Sequence, residues 1–140
     1  EHGDTLILLP VYMRDHGGCE YSCRAFSDTW DSGQVGVIWT TTARFADWCG
    51  VSAMPTPRED LERALRATVQ TYSDWASGDV WGYVATEYER CPHCNESREV
   101  GDGDSCWGFI GSDKDAQDNL RSEVPEQVKH LFDKAWSDRE

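Results

Sequence analysis

The sequence predicts an α+β domain: about four strands in a mainly antiparallel sheet, packed by one long helix over 57–76, with a C-terminal helix over 125–137. Three observations carry this. Leu61, Leu65, Val69, Tyr72 and Ala76 recur at steps of three and four, one apolar stripe of an amphipathic helix. Val35, Val37 and Trp39 alternate with Gly36 and Ile38, the period of a strand. Val128, Leu131, Phe132, Ala135 and Trp136 fall at i, i+3, i+4, i+7 and i+8, again helical.

Each element follows in chain order. Residues 5–13 are apolar on both faces, as in an interior strand covered on both sides. Pro10 breaks the hydrogen-bond ladder there or marks an edge. Residues 14–33 read as a long loop or hairpin with a weak strand near Tyr21–Phe26. The second strand, 34–42, contains Gly36, which leaves room for something to approach closely. Residues 43–48 suggest a helical turn stopped by Gly50. Thr56, Pro57 and Glu59 form a capping-box start for the long helix, and Gly78 is its stop. A third strand follows within 79–88, then a charged hairpin excursion over 89–103, then a fourth strand over 105–111. Residues 112–124 read as a polar connection. Pro125 suits the first turn of the last helix, whose stripe is expected to dock on its own domain. The order β-β-α-β-β-α spans 1–140 as a single domain. No Gly-rich phosphate loop follows any strand, which leaves a doubly wound nucleotide-binding fold unsupported.

The charge is strongly acidic, 26 Asp and Glu against 13 Lys and Arg, a net of −13. It is spread evenly: residues 1–86 hold 12 acids and 6 arginines, and 87–140 hold 14 acids and 7 bases. Such a surface repels phosphate backbones, so direct nucleic-acid binding is disfavoured. It suits contact with a basic protein surface, including one that normally holds DNA or RNA. The longest apolar run, Leu6–Val11, is far short of the roughly 20 residues of a membrane span and lacks signal-peptide flanks. The expectation is therefore a chain with no membrane segment and no signal peptide. Six cysteines without a secretory signal point to reduced thiols or a metal rather than disulfides.

Cys91-Pro92-His93-Cys94 is the most specific local motif, because two thiolates two residues apart can grip one zinc from a tight turn. A structural zinc site needs four ligands. Cys19 and Cys23 are the candidates for the other half, with His16 and Cys106 in reserve. A redox Cys-x-x-Cys normally opens a helix, and no apolar periodicity follows Cys94. The alternative chemistry is hydrolysis, with Asp31/Ser32 and Asp104/Ser105 as catalytic candidates and His16 as the base. His93 sits in the knuckle, His130 beside a helical stripe and His2 at a terminus. The competing reading of both Asp-Ser pairs is a backbone-capping turn, with Gly33 at positive φ. Asp102-Gly103-Asp104 resembles part of a calcium loop, but Cys106 and Gly108 stand where oxygen ligands belong. Seven tryptophans exceed what so small a core must hold. Exposed among acids, Trp30, Trp48 and Trp107, with Asp31, Asp102 and Asp104, would make a binding surface.

Three blocks together, Trp30-Asp31-Ser32-Gly33-Gln34-Val35-Gly36, Gly78-Asp79-Val80-Trp81-Gly82-Tyr83 and Asp104-Ser105-Cys106-Trp107-Gly108-Phe109-Ile110-Gly111, resemble a group of small uncharacterised proteins of bacteriophages and prophages. The resemblance runs from about Leu6 to Gly111; the cysteine knuckle and the last helix depart from it. It implies the cytoplasm of an infected bacterium and carries over no activity. The function expected in that setting is non-catalytic binding and modulation of a host protein, in its sharpest form as a DNA-mimic inhibitor of a defence or nucleic-acid enzyme. Hydrolysis and a zinc-stabilised structural adaptor are the alternatives.

Overall fold

The computed structural model describes residues 4–50 and 56–138. The chain is α+β and divides into two compact units, residues 1–78 and 79–140. Each has its own antiparallel sheet.

The first unit contains β1 (Leu6–Asp15), β2 (Cys19–Ser22), β3 (Ser32–Thr41), α1 (Thr42–Trp48) and α2 (Arg58–Ser77). Its strand order is β2-β1-β3, so β1 is central, as its doubly apolar pattern suggests. The inner face is Ile7 and Leu9, which meet Leu61 and Leu65 of α2, with Cys23, Ile38 and Phe45 packed around them. The other face is open. Leu6, Leu8, Val35, Val37 and Trp39 are each about half exposed, so the expected double cover is absent among the described residues. Pro10 is accommodated because β2 pairs only with Tyr12–Asp15, leaving a ladder on one side of Pro10. A bulge at Val35 shifts the β1–β3 register between Val11 and Tyr12.

Helix α2 starts at Arg58 with Pro57 at the N-cap, one residue later than the Thr56–Glu59 capping box implies. Glu59 and Asp60 in its first turn favour the positive end of the helix dipole. Gly78 closes it at φ 83°. The buried line is Leu61, Leu65, Val69 and Ser73, a strict four-residue step. Tyr72, assigned to the stripe from sequence, is instead half exposed, as is Trp75. Buried Ser73 is satisfied by accepting the Tyr21 backbone N–H at 2.8 Å.

The second unit contains β4 (Val80–Arg90), β5 (Ser97–Ile110), α3 (Lys114–Glu123), a 3-10 turn (Glu126–Val128) and α4 (Lys129–Ser137). The single four-stranded sheet is thus corrected to a three-stranded and a two-stranded sheet. A six-residue loop closes the β4–β5 hairpin at small entropic cost. Pairing with β3 would require a crossover past a 20-residue helix. Strand β5 also begins well before 105. Its charged first half, Ser97–Asp104, has poor strand propensity and is held by the ladder to β4, with a bulge near Gly101 at φ 77°.

The polar stretch 112–124 is corrected to a helix. Asp113 caps α3 by accepting the Ala116 N–H at 2.8 Å, and Leu120 and Val124 form the buried interior of this unit. The last helix is shorter than 125–137, because Val128 leaves helical geometry between the 3-10 turn and α4. It docks within its own unit: Trp136 packs edge-on against Trp81 of β4 at 5.7 Å, and Asp133 accepts a bidentate pair from Arg121 of α3 at 2.6 and 2.9 Å. Gly36 faces open space; the close approach occurs at Gly82, where an added Cβ would lie 2.4 Å from the Trp107 ring.

Candidate functional site

Within the first unit, the Asp28–Ser32 loop is fastened to the β1–β2 turn. The Asp15 N–H donates to the Asp31 carbonyl at 2.9 Å, and the Trp30 N–H donates to Asp28 Oδ1 at 2.9 Å. This fastening leaves the Trp30 side chain 92% exposed. Asp31 Oδ2 lies 3.0 Å from His16 Nδ1. The contact fixes the His16 ring, whose other nitrogen is turned away from the carboxylate. A Ser-His-Asp arrangement would require the Ser32 hydroxyl on that nitrogen. Ser32 Oγ instead donates to the Asp28 carbonyl, the backbone-capping role.

Asp104 and Ser105 belong to β5 in the second unit, so neither unit by itself assembles both Asp-Ser pairs. Trp48, at the end of α1, is 75% exposed and leans on Phe45, which is anchored at the core. On the open face, the Arg44 guanidinium stacks over Trp39 at 5.0 Å.

The second unit carries a groove of about 960 Å³ between the β4–β5 face and the C-terminal helical segment. Trp81, Tyr83, Phe132 and Trp136 line its aromatic side, and Asp102 and Asp104 stand on its rim. The apolar stripe of the last helix supplies one wall, and Leu131 in it is still 56% exposed. The Tyr83 hydroxyl lies 2.9 Å from both Asp104 Oδ2 and the Glu123 carbonyl, with one proton to donate between two acceptors. Desolvation, reinforced by Asp104, pushes its pKa up to about 12. Tyr83 therefore stays neutral, and the Asp104 carboxylate carries the rim charge. An aromatic groove with a carboxylate rim suits an apolar group next to a cation.

Trp107 lies outside this groove. It is 66% exposed and spans the backbone at Gly82. The three tryptophans singled out from sequence are thus all exposed. Trp81 and Trp136 were not singled out, although the Val128–Trp136 stripe was the signal for the groove wall.

All six cysteines are free. Cys91 and Cys94 sit in the loop of the β4–β5 hairpin. Cys19 and Cys23 belong to the first unit. Cys23 is packed against the core, and burial pushes its thiol up, the reverse of what a metal ligand needs. Among the described residues no three His, Cys, Asp or Glu side chains converge at ligand spacing. No helix among them is long and apolar enough to cross a membrane. His2 lies outside the described residues. Comparison with protein-family models, with curated proteins and with solved structures finds no match.

Proposed function

We propose that this chain is a small acidic accessory protein of the phage type that binds and modulates a host protein in the bacterial cytoplasm without catalysis. The observation that carries this reading is the exposure of Trp30, Trp48 and Trp107, at 92, 75 and 66%, on a chain of net charge −13. Large aromatics dominate binding energy when a partner desolvates them, and surrounding carboxylates select a basic partner. The groove in the second unit supports the same reading: it matches a protein segment that places Lys or Arg beside an apolar side chain. In its sharpest form the acidic surface occupies a site that otherwise holds DNA.

The test is capture from bacterial lysate at physiological salt with the immobilised chain, followed by mass spectrometry. Variants Trp30→Ala, Trp48→Ala and Trp107→Ala then measure the contact with any partner recovered. At least one is expected to weaken it about 10-fold or more. Binding unchanged in all three sinks the aromatic part of the proposal. Competition by duplex DNA separates mimicry from binding elsewhere on the partner.

A second reading, hydrolysis, is favoured by one observation, the His16–Asp31 contact at 3.0 Å. It requires Ser32 to release the Asp28 carbonyl, and it predicts labelling by a serine-directed phosphonate that is lost in both Ser32→Ala and His16→Ala. Labelling that persists in either variant removes it.

A further inference from the structure

The loop of the β4–β5 hairpin is built as half of a metal site. Cys91 donates its backbone N–H to the Glu96 carbonyl at 2.8 Å, and the Asn95 N–H returns to the Cys91 carbonyl at 3.0 Å. Asn95 adopts φ 61°, the left-handed conformation that lets a Cys-x-x-Cys turn close on itself and that Asn tolerates better than most residues. The turn directs the backbone N–H groups of Cys94 and His93 to the Cys91 sulfur, with the Cys94 sulfur beside it. Donated N–H groups on one sulfur and a second sulfur beside it are what a thiolate metal ligand requires.

Three further facts define the missing half. A closed zinc site takes four ligands, and this turn offers two. No third His, Cys, Asp or Glu among the described residues joins them. The outer hairpin is also uncovered: residues 87–90 and 92–99 are all exposed, with Cys91 between them. Just behind the tip, Arg98 donates to Glu89 across the two strands at 2.6 and 3.1 Å, which fixes the hairpin end without covering the sulfurs. An accessible pair of thiols, identical in every copy, can be completed by a two-fold axis through the metal.

We propose that two copies of this chain join hairpin tip to hairpin tip through one zinc ion, held by Cys91 and Cys94 of each. Each ligating thiol gives its proton to solvent as the zinc–sulfur bond forms, and the weak Cys94 Sγ donation to Glu96 Oε2, at 3.6 Å, is lost.

The test adds zinc to the reduced full-length chain and follows bound metal and native mass together. One zinc per two chains is expected, with the mass doubling on addition and reverting with chelator. Cobalt in place of zinc is expected to show the visible spectrum of a tetrahedral tetrathiolate. Cys94→Ser removes binding and pairing, and its far-UV spectrum verifies that the hairpin persists. Cys23→Ser leaves both unchanged. One zinc per chain without a change of mass, zinc retained by Cys94→Ser, or no zinc bound in reductant each overturns the proposal.

Discussion

Gly82 is the residue with least freedom to change. Its missing side chain is the space that the Trp107 ring fills, at 2.4 Å from where a Cβ would stand. Gly82→Ala must displace either the ring or the strand. The expected cost is about 1–3 kcal/mol by denaturant unfolding, with a shift in tryptophan emission. Gly36→Ala has open space and lacks this clash. Tyr83 makes the second residue-scale prediction. Its pKa is raised from 10 to about 12, so the folded state favours the neutral phenol. That stabilisation is complete below pH 10 and disappears as pH rises from 10 through about 12. Ultraviolet titration of tyrosinate should show late-titrating groups, Tyr21 also being pushed up by desolvation, and Tyr83→Phe should remove the one near 12. At this scale much was legible. Trp30, Trp48 and Trp107 could be chosen because an acidic chain of this size has more tryptophans than its core needs. Which glycine meets a ring was not legible, since that depends on the register of β4 against β5.

Helix α3 shows what an element must contain to be read. Its apolar content is a single line, Ala116, Leu120 and, just past its end, Val124, set among charges. A narrow stripe of this kind is weak evidence for a helix, yet Leu120 is 1% exposed and Val124 4%. Leu120→Ala should therefore cost about 2–5 kcal/mol. Leu131→Ala, at a residue 56% exposed in the groove, should cost under about 1 kcal/mol and instead weaken whatever occupies the groove. Thermal melts of the two variants compare them directly. Helix α2 was legible because its broad stripe and Gly78 stop agree with each other. The first half of β5 was not, because Ser97–Asp104 is a strand only by virtue of its partner.

Over the whole molecule, acidity is shared by both units. Residues 1–78 carry 11 acids and 6 bases, a net of −5, and residues 79–140 carry 15 and 7, a net of −8. Self-repulsion of this size opposes folding, and added salt screens it over about 10 Å at 0.1 M. The melting temperature should accordingly rise between low salt and several hundred millimolar NaCl in a scanning calorimeter; a fall would mean that attractive ion pairs such as Arg121–Asp133 outweigh the repulsion. The pairing of strands into two sheets is a property of this scale, and no local pattern announces it. It also has a consequence for the chain in company. A two-stranded sheet has an unpaired edge on each strand, and an open edge is a template for another chain's backbone. Carboxylates spread along β4 and β5, among them Glu87, Glu89, Glu99, Asp102 and Asp104, keep like strands from adding to it. As pH falls toward the chain's pI of about 4.5 its net charge vanishes, copies no longer repel one another and the edges become adhesive. Light scattering should then rise near that pH, and it should rise sooner in Glu87→Gln/Glu89→Gln than in the parent.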